Sequence, residues 1–171
     1  MSEWWSYRPA DFLMFSPRIY WRLFESLNAA AWPAQPLVVG AALAGIAGMA
    51  RRAGPIGQGA ARGALCALAL AWLAVAGLFL APRYAPINWA ATYATVAFAL
   101  QALGLLGLAA IGGVAGHAVA PRRRVGWALL LWALCLHPLL AWAAGRPWTQ
   151  AEVFGLAPDP TAIATLGALL L

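Results

Sequence analysis

Apolar residues in this chain come in long unbroken runs, not in the alternating or one-faced patterns of soluble domains. No Asp, Glu, Lys or Arg occurs in residues 26–50, 63–82, 84–121, 125–145 or 160–171. Crossing a bilayer core takes about 20 apolar residues of helix, each rising about 1.5 Å. The first four runs are long enough and the last is too short. Barrel strands would alternate in segments of about ten residues, whereas these runs are apolar on every face, so the pattern predicts an all-α membrane fold. The expected spans are residues 34–50, 63–81, 87–111 and 125–144, with a partial fifth at 160–171. The Gly112, Gly113, Gly116, Pro121 tail of the third run reads as a looser approach to Arg122.

The amino-terminal stretch follows a different rule. Ser16 and Pro17 form a helix start, Ser as the cap and Pro in the first turn, where its missing N–H is harmless. At 100° per residue, Ile19, Tyr20, Leu23, Phe24 and Leu27 fall in an arc of about 140°, with Arg18, Arg22, Glu25, Ser26 and Asn28 opposite. Only Trp21 breaks the separation. A sharp apolar arc backed by Arg and bordered by aromatic residues suits a helix lying in the membrane interface. Residues 1–33 therefore read as an aromatic, interfacial segment, with Trp4, Trp5, Arg18, Tyr20, Arg22, Phe24 and Trp32 as its membrane-interface residues, and 34–171 as the transmembrane bundle. The same helix would also fit packed across the mouths of the spans.

Composition agrees with this reading: 64% of residues are hydrophobic and 9% charged, against roughly half and a quarter in soluble domains. All eleven basic residues are Arg, against five acids, a formal +6. Because the Arg sit at the ends of apolar runs, they anchor at headgroups, and nucleic acid is not an expected partner. Arg51, Arg52, Arg62 and Arg122, Arg123, Arg124 flank one side, against Arg83 and Arg146 on the other. The Arg-rich side is expected to be cytoplasmic, which puts the amino terminus outside, although Arg18 and Arg22 pull the other way. Cys66 and Cys135 both fall inside expected spans and indicate no disulfide framework.

Candidate chemistry is sparse. His137 lies within the fourth span, and an ionisable group at that depth suggests a ligand or proton relay; the plainer alternative is a neutral His bonded to a neighbouring helix. Cys135 and His137 are 200° apart on a helix and cannot share a metal ion unless Pro138 distorts the turn. His117 is poorly placed as a second haem ligand. No spacing for a metal site, catalytic triad or phosphate loop occurs, so no catalytic residue, metal or cofactor is assigned. Asn88, Thr92 and Thr95 share a face of the third span, with Gln101 nearly opposite. Asp159 between two prolines fits either a plain turn or a broken-helix ion site. His137, Gln101 and Asp159 are the candidate polar site. Gly40, Ala44, Gly48 and Gly112, Gly116 repeat at a spacing that lets helices approach closely.

The stretch Trp4, Trp5, Tyr7, Arg8, Pro9, Asp11, Phe12, Leu13, Phe15, Ser16, Pro17, Arg18, Tyr20, Arg22, Leu23, Phe24, Glu25, Asn28, Trp32, Pro33 resembles the opening of a bacterial inner-membrane family catalogued as a domain of unknown function. The phrase from Phe154 to Thr161 is similar to it too. The resemblance implies a multi-pass inner-membrane protein and supplies no catalytic residue. It also implies further apolar segments past the point matching Leu171, and a helix stopping there after about 18 Å would leave carbonyls unsatisfied in hydrocarbon; a longer natural chain is therefore expected. Two roles follow from the residues: a non-enzymatic protein packing against itself or a membrane partner within the lipid bilayer, or a transporter or channel component for a small solute or metal ion.

Overall fold

The computed structural model describes residues 15–50, 57–112 and 120–171, which are helical with no strand among them. Helix α1 (Pro17–Ala31) begins at the expected proline. Ser16 occupies the cap position, but its side chain makes no capping bond; its main-chain carbonyl accepts from Ile19 N instead. Helix α2 (Ala34–Ala50) has the expected bounds. Helix α3 (Gln58–Ala74) runs on through a widened π stretch (Val75–Tyr84), so the rod exceeds the expected 63–81 at both ends. The charges at Arg62 and Arg83 end the apolar run without ending the helix.

Helix α4 (Ala90–Ala110) is the third apolar run. It stops where Gly112 turns to φ +114°, so Gly112 terminates a helix and does not contribute to a packing face; Gly116 and the rest of the expected loose tail lie outside the described residues. The fourth run is a broken rod: α5 (Ala120–Leu131), a π turn (Trp132–Leu136) and α6 (Leu139–Ala143). A 3₁₀ turn (Trp148–Gln150) leads to an irregular stretch and then α7 (Pro158–Leu169).

Both widened stretches have a proline as their cause. Pro82 has no N–H to give Leu78 O, the carbonyl four residues back, and the Arg83 guanidinium donates to that carbonyl instead. Pro138 similarly forces the preceding turn to relax, and His137 N reaches five residues back to Trp132 O at 2.7 Å. The π turn does not unite Cys135 with His137: the thiol is exposed and the imidazole buried.

Two apolar clusters hold the rods together. One joins Leu65, Leu68 and Ala69 of α3 to Ala102 and Leu105 of α4, Leu130 and Ala133 of the α5 rod, Ala164 of α7 and Phe154 of the stretch before it. The other joins Phe24 and Leu27 of α1 to Val75, Phe79 and Leu80 of the α3 rod and to Ala157. Phe24, placed by its arc at the membrane interface, is 0% exposed and stacks on Phe79 at 4.5 Å between ring centroids. The face of α1 that carries it is covered by the protein, while Ile19 on the same arc remains exposed. Asn28, expected on the polar arc, is buried: Nδ2 donates to Thr149 O and Ala151 O, and Oδ1 accepts from Gln35 Nε2.

α7 packs closely against α5. Its carboxy-terminal part crosses α5 at Gly126 and Gly167, where a Cβ on Gly126 would lie 2.8 Å from Gly167 O and one on Gly167 2.9 Å from Gly126 O. Beyond that crossing Leu169 O accepts from Arg122 Nη2 at 3.5 Å. The amino-terminal end of α7 is enclosed by the bundle, with Pro160 and Thr161 buried. Residues 151–157 fold inward to reach it, with Ala151, Phe154, Gly155 and Ala157 buried.

The α5–α7 crossing leaves no room for a side chain. Gly167→Val is expected to destabilise the fold by about 1–3 kcal/mol, read as a lower melting temperature in detergent, whereas Gly104→Ala, mid-helix with nothing within 4 Å of its Cβ position, should melt no lower than the wild type. Equal melting of Gly167→Val and wild type would contradict the crossing.

Candidate functional site

Non-helical main chain at depth is tolerated only where its polar groups find partners or water. In the 151–157 stretch side chains supply them. Thr161 Oγ1 accepts from Gly155 N at 2.9 Å and donates to Ala157 O at 2.8 Å, and Thr161 is fully buried. Gly155, at φ +79°, takes the left-handed turn that aims this chain back into α7. Asn28 binds Thr149 O and Ala151 O from the α1 side. On α7, Thr165 Oγ1 donates to Thr161 O and accepts from Trp72 Nε1 of α3 at 2.8 Å.

This inward fold carries Glu152 to His137. Glu152 Oε2 lies 4.0 Å from His137 Nδ1, with the two side chains 11% and 7% exposed. That separation is within ion-pair range and too long for a hydrogen bond, and His137 Nδ1 is buried with no hydrogen-bond partner. Burial pushes the Glu152 carboxyl above the ordinary range, the Asp159 carboxylate pushes it further the same way, and the Arg146 guanidinium opposes both. Asp159 sits exposed in the first turn of α7, where a negative charge is favoured by the helix dipole.

Tyr20 of α1, which feels the Glu152 carboxylate, belongs to an aromatic cluster. Tyr20 packs edge-on to Phe24 and Tyr84, with ring centroids 5.2 and 5.4 Å apart. Burial, then the neighbouring Glu152 and Asp159 carboxylates, push its phenol far above the ordinary tyrosine range, so it stays a neutral hydroxyl. Arg146 is brought back over α1 by the turn that ends α6, where Gly145 at φ +70° lets Arg146 N reach Ala141 O at 2.8 Å. Its guanidinium lies 3.4 Å from the Trp21 ring centroid.

Of the residues expected at a polar site, the structure brings His137 and Asp159 into the surroundings of Glu152 and leaves Gln101 apart, exposed on α4. Among the interface residues, Arg18, Arg22 and Trp32 are exposed, Tyr20 is half-buried and Phe24 is enclosed; Trp4 and Trp5 lie outside the described residues. On the third-run face, Asn88 Nδ2 donates to Tyr84 Oη and Thr95 Oγ1 donates to Ala91 O, both local bonds. His117 is outside the described residues, and among those described no three His, Cys, Asp or Glu side chains gather closely enough to hold a metal ion.

Sequence reasoning missed Glu152, Thr161, Asn28 and Arg146 as parts of one assembly. Glu152 carried a signal, as an acid placed between two uncharged runs. Nothing in the local pattern shows that the residues after Trp148 turn inward. What the assembly can do chemically is hold one proton between an imidazole nitrogen and a carboxylate: a small closing movement makes either group the donor to the other.

Two helical segments, Gln58–Tyr84 and Ala90–Ala110, are long and apolar enough to cross a membrane by length and composition. No curated protein and no solved structure matches the chain. A family model does match, over residues 17–171, and it begins after most of the aromatic opening that suggested the resemblance. With nearly the whole described chain inside that match, the protein belongs to the family of unknown function DUF6064.

Proposed function

We propose that this chain is a multi-pass protein of the bacterial inner membrane, and that its role is passage of a small ion or solute along the polar assembly at the enclosed end of α7. The observation that carries the role is a half-helix entered by irregular main chain beside a buried His137 and Glu152. Discontinuous helices of this kind build substrate and ion sites in membrane carriers, and ionisable groups at membrane depth mark ion or proton pathways. The proton shared by His137 and Glu152 is the simplest cargo or coupling ion for the site. No enzymatic step is assigned.

The membrane reading rests on what a single copy leaves uncovered. Trp89, Tyr93, Val96, Leu100 and Leu103 recur three and four apart on α4, and all are exposed. An apolar stripe of that length on a water-facing helix would be an aggregation hazard; against lipid it is at home. Besides the two long rods, α2 with 17 residues reaches about 25 Å, and the α5–α6 rod adds a fourth apolar run. α1 then lies along the rim, its Arg18 and Arg22 toward the headgroups, and residues 1–33 form the interfacial segment ahead of the bundle. A reporter active only in the cytoplasm should work when fused after Arg124, on the Arg-rich side, and fail after Arg83. The opposite pattern would invert the topology, and release of the protein from membranes by alkaline carbonate would end the membrane reading.

For the passage reading, the chain in proteoliposomes with an entrapped pH dye should carry protons under an imposed potential. Glu152→Gln should fall to the empty-vesicle baseline. Stability supplies a second readout with a definite sign. A carboxyl whose folded pKa is raised contributes stability that is complete below its unfolded value, about 4.3, and is lost as pH rises through the folded value. The wild type should therefore lose melting temperature relative to Glu152→Gln as pH rises above about 4.3. Unchanged flux in Glu152→Gln would eliminate Glu152 from the pathway.

A second reading, non-enzymatic packing against another copy or a membrane partner, is favoured by one observation. Gln101 is exposed on α4 one turn from Gly104, and Gly104, Gly107 and Gly40 have nothing within 4 Å of their Cβ positions. An amide facing lipid next to open small residues fits a helix that meets another helix, where side-chain amides bond across the interface. Gln101→Leu should lower energy transfer between labelled copies in vesicles if this face associates; transfer equal to wild type would exclude it.

A further inference from the structure

Arg18 and Arg22 lie one turn apart on α1, and Arg146 reaches toward them from the turn after α6. With Trp21, Glu25 and Gln150 they line an open groove of about 480 Å³. Guanidinium groups keep their charge at any physiological pH, and like charges at i,i+4 repel. Among the described residues, neither Arg18 nor Arg22 pairs with a carboxylate. The groove's own acid is already engaged, since Glu25 Oε2 accepts from Gln150 Nε2 at 3.2 Å.

Arg146 is held in advance of any ligand. Its plane lies against Trp21, and Nη1 donates to Gln150 O at 3.2 Å, which leaves the rest of the fork for another acceptor. Three guanidinium forks around one concavity, one of them locked and the others without a carboxylate partner, match the oxygens of a phosphate group better than those of a single carboxylate. The groove is also at the end of the bundle where Trp142 and Trp148 are exposed, the position that aromatic belts occupy at headgroup level.

We propose that the groove of Arg18, Arg22 and Arg146 binds a phosphate group. That phosphate comes either from an anionic phospholipid headgroup or from a soluble phosphate. The site is distinct from the His137–Glu152 pair and does not depend on ion passage; only the lipid source rests on the membrane reading.

The test uses the full chain in a neutral, phosphate-free detergent. In one arm inorganic phosphate is titrated calorimetrically against chloride at matched ionic strength. In the other, native mass spectrometry counts retained phosphatidylglycerol against a neutral glycolipid with the same acyl chains. Saturable binding is expected in at least one arm, and Arg18→Gln/Arg22→Gln should bind about tenfold more weakly, while Arg123→Gln at the far end of the bundle keeps wild-type binding. Saturation by phosphatidylglycerol alone identifies a lipid headgroup, and saturation by inorganic phosphate a soluble ligand. Arg18 and Arg22 are both exposed, so the double variant should melt like the wild type; if it does not, the single Arg18→Gln variant carries the comparison. Phosphate bound no better than chloride together with phosphatidylglycerol retained no better than the glycolipid, or equal binding by wild type and arginine variants, would overturn the proposal.

Discussion

Burying main chain that is not helical is the constraint on which this structure turns. Between Ala151 and Ala157 the chain folds into the bundle with only the local turn bonds from Leu156 N and Ala157 N to Val153 O in place of a helix's continuous ladder. Two buried side chains resolve the problem from opposite sides. Thr161 bonds both an amide and a carbonyl of the inward turn, and Asn28 takes two carbonyls at its mouth. Because Asn28 belongs to α1 and also accepts from Gln35 of α2, satisfying the inward stretch fixes where the first two helices sit.

The rest of the packing follows from that placement. α1 lies over the widened end of the α3 rod, where Phe24 stacks on Phe79 and Ala157 closes the same cluster. α7, entered at its enclosed end, has only its short length in which to meet α5, and two facing glycines allow a contact that larger residues would prevent. Trp72 then ties the middle of α3 to Thr165. The prolines at 82 and 138 each widen a rod near the α1 end, one freeing Leu78 O for Arg83 and the other shifting the bonding of His137.

The same architecture explains why charge collects where it does. An inward stretch with its own carboxylate places Glu152 opposite the fourth run, and the fourth run holds the imidazole that faces it. Arg146, one turn past α6, is near enough to favour the charged form of Glu152 against the effect of burial while its guanidinium rests on Trp21. One end of the bundle thus carries an enclosed His137–Glu152 pair and, on its outer surface, an exposed arginine groove.

Periodicity and run length by themselves determined that the chain is helical, where α2 begins and ends, and roughly where the other apolar rods lie. Those are local properties: a long run without charges has no other way to satisfy its main chain in an apolar setting. The amphipathic arc of α1 was legible for the same reason, yet whether Phe24 meets lipid or protein depends on what lies beside it. Tertiary structure alone decided that Phe24 is enclosed, that Asn28 points inward from the polar arc, and that α7 starts inside the bundle and ends near Arg122. It also decided the partner of His137. Fifteen positions separate His137 from Glu152, no helical or strand period links them, and the contact exists only because the main chain between them turns back into the bundle.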